Sequence, residues 1–139
     1  MYTEMVKSPE LRDVTERLYR DGHYASAVLE GFKFVNNLVK QRSGLAADGA
    51  ALMRSTFSLN NPRLKLSDLK TQSKKDQQQG YMDIFAGCMT GVRNPRAHDH
   101  KYLDDPDVAL KMLAWADHLV SLVNNAKRTR THKFAKTKP

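Results

Sequence analysis

The sequence predicts an all-α fold, a bundle of four or five helices with a kink or break at Asn94-Pro95. Apolar residues recur at helical spacing over most of the chain, and typical capping residues precede several of these stretches. No segment shows the sustained alternation of a strand, and there is no internal repeat and no glycine-rich phosphate loop. The 139 residues suffice for one domain with a sizeable core and are too few for two ordinary domains.

The first three predicted helices occupy the N-terminal half of the chain. The first has Ser8 as its N-cap and Pro9 at its first position, and it stops at Gly22. Its apolar residues are Leu11, Val14 and Leu18. The second runs from about Tyr24 to Arg42 and buries Ala25, Val28, Leu29, Phe32, Val35, Leu38 and Val39. Asp48 caps a short third helix with Leu52, Met53, Thr56 and Phe57 along one side.

Residues 58–75 break this pattern. They are rich in turn formers and lysine, and their apolar periodicity is weak. We predict a loop with a short extended piece at Leu64–Leu66. A loop of this length is typical of a functional or mobile segment.

The fourth and fifth predicted helices carry the clearest periodicity. The fourth has its apolar stripe at Tyr81, Ile84, Phe85, Cys88, Met89 and Val92. Gly87 and Gly91 within it permit the close approach of another helix. The fifth begins at Asp105-Pro106, an N-cap followed by proline. Its predicted buried stripe comprises Val108, Ala109, Met112, Leu113, Ala116, Leu119, Val120 and Val123.

Basic residues concentrate at the C-terminus. The formal net charge is +8, but the last 13 residues hold six lysines and arginines and no acid, which leaves +2 for residues 1–126. We therefore expect a helical domain at 1–126 and a basic, flexible tail at 127–139. Such a tail suits a polyanion such as RNA, with Lys127, Arg128 and Arg130 as candidate contacts. A solvated end without a ligand is the alternative.

The composition narrows the class of protein. Hydrophobic residues make up 40% and charged residues 27%, as in ordinary soluble domains. No apolar run approaches the roughly 18 residues of a membrane span, and residues 1–13 show no signal-peptide core. The single Cys88 excludes an internal disulfide framework and a multi-cysteine zinc site. We expect a cytoplasmic protein without membrane contact.

The segment GVRNPRAHDH, residues 91–100, clusters polar side chains around a proline. Pro95 lacks an amide donor and disfavours helical geometry at Asn94, so the helix is expected to kink or end near Arg93. In one local solution Asn94 becomes the N-cap of a new turn running through His98. Free backbone amides beside the Arg93 guanidinium then suit a phosphate.

Arg93 and His98 combine two kinds of chemistry. They lie about 140° apart around an uninterrupted helix, and a break at the proline is what brings them together. Arginine offers a permanent charge and a planar fork for phosphate, and histidine transfers protons near neutral pH. RNA cleavage by the neighbouring 2′-hydroxyl needs these groups and no metal. The alternative is a capping turn with Asn94 as the cap and His98 packed or solvated.

The stretch RNPRAH resembles the Arg–polar–(four to six residues)–His signature of the HEPN superfamily, as it appears in the Ymh-like branch of uncharacterised prokaryotic proteins. The segments DGHYASAV, GAALMRSTF and QQGYMDIFAGCMTGVRNPRAH are similar to the same branch, so the resemblance covers roughly residues 10–125. It implies a helical bundle that dimerises with its motifs facing each other across the interface. Many such proteins are metal-independent ribonucleases of toxin–antitoxin or antiviral systems; others only bind RNA or nucleotides, or support a partner.

The resemblance implies catalytic positions for Arg93 and His98 and the polar position for Asn94. Arg96 and His100 are further candidates for RNA contact, although Arg96 can instead pair with Asp99 or point to solvent. The implied partners are RNA, a second copy of the chain, and an antitoxin or other defence-system protein. No cofactor is implied.

Five side chains have other, simpler interpretations. His98 and His100 could chelate a metal only if locally extended, and no second tight cluster accompanies them, so no metal site is predicted. Cys88 falls on a buried stripe and is interpreted as a core residue. Trp115 is either an interface anchor or a residue at the core edge. His118 is expected at the surface.

Overall fold

Helices form most of the described part of the chain, residues 1–129 of the computed structural model. The elements in chain order are α1 (Tyr2–Met5), α2 (Pro9–Arg20), α3 (Tyr24–Ser43), α4 (Gly49–Phe57), β1 (Leu64–Lys65), α5 (Gln72–Cys88), a π-helical stretch (Met89–Arg93), α6 (Asn94–His98), α7 (Pro106–Asn125) and β2 (Lys127–Arg128). We call Met89–Arg93 the π segment. The predicted all-α bundle is confirmed.

The N-terminus forms a short helix, α1, that the sequence pattern does not predict. The ring of Tyr2, in α1, is buried and stacks on Tyr19 of α2, and its hydroxyl lies 2.6 Å from Thr15 Oγ1. A single turn is too short to show a helical repeat, so α1 leaves no periodic signal. α2 itself begins as predicted, with Ser8 Oγ accepting the amide of Leu11 at 3.2 Å.

α3 is the central helix and packs against α2, α4, the π segment, α6 and α7. It approaches α7 closely at Gly31, where an added Cβ would lie 3.1 Å from the Leu113 side chain. The helix ends at Gly44, whose φ of +75° is the left-handed conformation that glycine adopts without strain. Its predicted bounds are therefore confirmed to within a residue.

Asp48 precedes α4 but does not cap it as predicted. Its side chain makes no capping hydrogen bond, and the amide of Gly49 donates instead to Asn36 Oδ1 of α3 at 2.8 Å. Asn36 is almost fully buried. The cap therefore comes from a neighbouring helix, which local sequence patterns do not reveal.

The loop after α4 is fastened to the bundle by one buried side chain, Gln78 of α5. Its amide nitrogen donates to the carbonyls of Phe57 and Leu64 at 3.1 and 2.9 Å, and its oxygen accepts the Leu66 amide at 2.9 Å. The extended piece predicted at Leu64–Leu66 is present as β1. The predicted loop is shorter than expected, because α5 begins at Gln72.

β1 pairs antiparallel with β2, so the predicted tail begins inside the fold. Leu64 lies opposite Arg128 and Lys65 opposite Lys127. The prediction of a flexible tail starting at residue 127 is corrected for Lys127 and Arg128. Arg130 and the rest of the predicted tail lie outside the described residues.

α7 begins at Pro106, and Asp105 caps it by accepting the Val108 amide at 2.9 Å. Ala109, Leu113, Ala116, Leu119, Val120 and Val123 are buried as predicted. Val108 is exposed, so its place in the predicted buried stripe is wrong, and Met112 is only half-buried against the core. Within residues 1–129, none of the helices combines the length and the apolar character needed to cross a membrane.

Candidate functional site

α5, the π segment and α6 form one helix that bends and does not end at the proline. Pro95 has no amide donor, and in a regular helix its ring clashes with the carbonyl four residues earlier. In the π segment the Asn94 amide bonds instead to the carbonyl of Met89, five residues back. We attribute the widened turn to this steric demand. π turns of this kind are rare and frequently mark functional sites.

The continuous helix corrects one prediction about Asn94. Its φ of −62° and ψ of −46° are helical, and it makes no capping hydrogen bond. A new helix N-terminus with free amides therefore does not form at this position. The helix accommodates the proline by a bend and a π turn, and no new helix starts there.

The Asn94 side chain orients Arg93. Asn94 Oδ1 accepts hydrogen bonds from Arg93 Nε at 3.3 Å and Nη2 at 3.1 Å. The half-buried guanidinium lies over the start of α4, where an added Cβ on Gly49 would lie 3.3 Å from Nη2. Among residues 1–129 no carboxylate forms an ion pair with Arg93, so Nη1 keeps its donors free.

A polar network joins α3 to the start of α4, close to Arg93. The carboxylate of Asp48 accepts Asn36 Nδ2 at 3.0 Å and Lys40 Nζ at 3.1–3.2 Å. These bonds, led by that from Asn36 and aided by the charges of Lys40 and Arg93, hold the pKa of Asp48 below its usual value. The sequence pattern does not connect these residues to the motif. The signal that could have done so is Asn36, a polar residue among the apolar positions of α3.

His98 and His100 are both exposed, and within the described residues neither forms a hydrogen bond or an ion pair. Because α6 is α-helical from Asn94 to His98, the backbone directs Arg93 and His98 about 140° apart. The bend therefore does not bring the two side chains to one face of the helix. One protomer presents an oriented arginine and, separately, an accessible imidazole.

Arg96 occupies a buried ion pair and not the solvent-facing position predicted for RNA contact. Its Nε and Nη2 each donate to Asp104 at 2.7 Å, and both side chains are at most 4% exposed. Nη1 donates to the Val92 carbonyl at 3.0 Å, and the guanidinium lies 4.5 Å from the centre of the Tyr102 ring. Desolvation lowers the pKa of Arg96, but the bonds and charge of Asp104 outweigh it and shift the pKa upward. Arg96 is therefore removed from the candidate RNA contacts, and its partner is not Asp99.

The other candidates take the following places. Cys88 is buried, and burial raises the pKa of its thiol, as expected of a core residue. Trp115 is half-buried against the core, and His118 is exposed with Nε2 2.9 Å from the Tyr81 hydroxyl. Lys127 and Arg128 are exposed on β2. Across residues 1–129, no three His, Cys, Asp or Glu side chains cluster closely enough to hold a metal ion.

Comparison with known proteins identifies a family and no characterised relative. No curated protein and no solved structure matches the chain significantly. The model of a family described as "Protein of unknown function (Hypoth_ymh)" matches residues 7–123, which include every helix from α2 through most of α7. The chain therefore belongs to the Hypoth_Ymh family.

Proposed function

We propose that this protein is a metal-independent endoribonuclease of the HEPN type that acts as a homodimer. Arg93 holds the scissile phosphate, Asn94 orients Arg93, and His98 transfers a proton. A role in a toxin–antitoxin or antiviral system, with a partner protein that restrains the activity, follows from the resemblance of the RNPRAH segment to that superfamily.

The surroundings of Arg93 carry this proposal. Arg93 and Arg96 lie three residues apart, but Arg96 is neutralised by Asp104, whereas Arg93 is held by a neutral amide oxygen. A guanidinium with a fixed orientation and free donors is ready to bind a phosphate through two hydrogen bonds. It stands where the helix widens into a π turn, a geometry that recurs at functional sites.

The reaction is a transfer of the phosphodiester to the adjacent hydroxyl. The 2′-oxygen attacks phosphorus while its proton passes to an imidazole acting as base, and the bond from phosphorus to the 5′-oxygen breaks. That oxygen takes a proton from the imidazolium or from water, which leaves a 2′,3′-cyclic phosphate and a 5′-hydroxyl. Arg93 stabilises the additional negative charge on the phosphoryl oxygens during the attack. Histidine is the side chain most often used for proton transfer of this kind.

A dimer supplies what one protomer lacks. The backbone sends Arg93 and His98 of one chain in directions about 140° apart, so one face of a single helix does not hold both groups. Two copies related by a twofold axis place equivalent residues of both chains at one interface. Gly87 and Gly91 are exposed, and an added Cβ on either would meet nothing within 4 Å in its own chain. This surface leaves room for the helix of a second copy.

The proposal is tested by incubating the purified protein with total RNA or tRNA in EDTA and analysing the new ends. We expect 2′,3′-cyclic phosphate ends from the wild type. His98→Ala should cleave about 10²-fold or more slowly while keeping most of its RNA affinity, since proton transfer is lost and a neutral imidazole contributes little to phosphate binding. Arg93→Ala should lose cleavage and affinity together, and Arg93→Lys should regain only part of both.

The controls use neighbouring residues outside the site. His118→Ala removes another exposed imidazole, which bonds Tyr81, and should leave cleavage unchanged. Melting temperatures of all variants separate loss of function from loss of fold. Normal cleavage by both Arg93→Ala and His98→Ala refutes the ribonuclease assignment.

A second function is favoured by the divergence of Arg93 and His98 within one chain. In this alternative the protein is a dimerisation module that binds RNA or a nucleotide at Arg93 without cleaving it. RNA binding in EDTA that is lost in Arg93→Ala, with no new ends from the wild type, selects the alternative.

A further inference from the structure

The ribbon formed by β1 and β2 gathers basic residues from two distant parts of the sequence. Lys65 on β1 lies directly opposite Lys127 on β2, and Arg128 lies opposite Leu64. In an antiparallel pair, residues directly opposite share a face, and like charges there destabilise the pairing. An anion between the two ammonium groups removes this repulsion. The ribbon is therefore built in a way that favours a bound anion.

Two grooves flank the ribbon and share Arg128. One, of about 510 Å³, is lined by residues that include Lys65, Lys70, Lys127 and Arg128. Its single acidic residue, Asp68, is ion-paired with Lys74 at 3.1 Å. Within residues 1–129 the ammonium groups of Lys65, Lys70 and Lys127 form no ion pair. The groove thus carries a concentrated positive charge that no described carboxylate neutralises.

The second groove lies between the ribbon and the end of α3. It has a volume of about 260 Å³ and is lined by Arg63, Arg128 and the end of α3. Arg128 Nη2 lies 3.9 Å from the position of a Cβ on Gly44, and Arg93 Nη2 lies 3.3 Å from that on Gly49. Gly44 and Gly49 are at most about 19 Å apart, because five trans peptide units span no more than that. The two arginines stand at opposite ends of one short loop.

We propose that the β1–β2 ribbon and its grooves bind the phosphate backbone of a single RNA strand and lead that strand along the α3–α4 loop to Arg93. This inference rests on the proposed function and adds the surface that holds the substrate. Lysine and arginine side chains along an extended groove follow a single-stranded backbone without reading its sequence. No exposed large apolar side chain lies on the ribbon, so it lacks the apolar anchor of a membrane-binding surface.

The test measures binding of a single-stranded oligouridylate in EDTA over a range of salt concentrations, in a His98→Ala background that prevents cleavage. In the double variant Lys65→Ala/Lys127→Ala, the slope of log K against log salt should fall by about 1.4, since each phosphate contact on a single strand contributes roughly 0.7. The melting temperature should stay the same or rise, because the repulsive pair is removed.

The matched control is Arg17→Ala/Lys111→Ala, which removes the same charge from exposed positions. Lys111 lies on α7 about 21 Å before Asn125, by the rise of an α-helix. The control should keep the wild-type slope. An unchanged slope in the ribbon variant, or an equal loss in the control, overturns the proposed surface.

Cleavage assays keep this result separate from the proposed function. With His98 intact, the ribbon variant should reach half-maximal cleavage only at a higher RNA concentration than the wild type, because the surface that holds the strand is weakened. RNA cleavage with an unchanged ribbon slope refutes the surface alone. A reduced ribbon slope in a protein that does not cleave RNA refutes the ribonuclease and retains the surface.

Discussion

At the scale of single residues, the two arginines of the RNPRAH segment have opposite environments. The local sequence fits a solvent-facing or an interior position for either arginine equally well, since an arginine near a proline can take both. Asp104 decides the case for Arg96, and it lies eight residues further on, beyond the end of α6. The partner that the sequence suggested, Asp99, is nearer in the chain, and its carboxylate instead accepts the Lys101 amide at 3.0 Å.

We expect Arg96→Ala to destabilise the fold by about 3–5 kcal/mol, because it leaves the Asp104 carboxylate buried without a partner. The measurement is urea unfolding followed by circular dichroism. Arg54→Ala is the control, since its ion pair with Asp83 is more than half exposed and should contribute less than about 1 kcal/mol. Loss of RNA affinity in Arg96→Ala at full stability would contradict the structural role.

At the scale of elements, the joint between α3 and α4 depends on Asn36. In Asn36→Ala the buried Gly49 amide loses its acceptor, which should cost about 1–3 kcal/mol in the free energy of unfolding. The pKa of Asp48 should rise toward 3.8, because the Asn36 bond is the largest cause of its lowering. NMR titration of the Asp48 carboxyl checks the second effect. Gln41→Ala, at an exposed position of the same helix, should change neither quantity.

The pH dependence of the same joint has a definite sign. A carboxyl whose pKa is lowered in the folded state stabilises the protein above its unfolded pKa, here 3.8, and loses this effect as pH falls through the lowered folded value. The stability gap between wild type and Asn36→Ala should therefore narrow on acidification below pH 3.8. A gap that stays constant down to the lowest measurable pH would show that Asp48 takes no part.

Helix bounds were predictable where the signal is local. Ser8-Pro9 and Asp105-Pro106 act on their own turns, and the structure confirms both. What the sequence left open depends on distant partners. β2 forms because β1 is available across the fold, and Gln78 is buried because three backbone groups of another segment need it. The continuous helix through Pro95 likewise required a π turn, for which no residue pattern is diagnostic.

At the scale of the whole molecule, the proposed function requires a site that two chains share. If Arg93 of one protomer acts with His98 of its partner, mixing Arg93→Ala with His98→Ala should restore cleavage. Random exchange makes half of the dimers mixed, and each mixed dimer holds one intact site, so about a quarter of wild-type activity should return. The measurement is cleavage before and after subunit exchange. Activity that never returns, despite exchange shown by mass spectrometry, places both residues of a site in one chain.

The π segment also sets the angular phase of the long helix. Its amide bond from Asn94 to Met89 spans one residue more than an α-helical bond. It therefore acts as a one-residue insertion, and the turn that holds Asn94, Arg96 and His98 is rotated by about 100° relative to an uninterrupted α5. This rotation determines that Arg96 meets Asp104 in the interior and that His98 reaches solvent. Removing one residue between Met89 and Arg93 would turn both side chains by about 100° and take Arg96 away from Asp104, so the length of this segment, independently of its side chains, sets which residues face the interior.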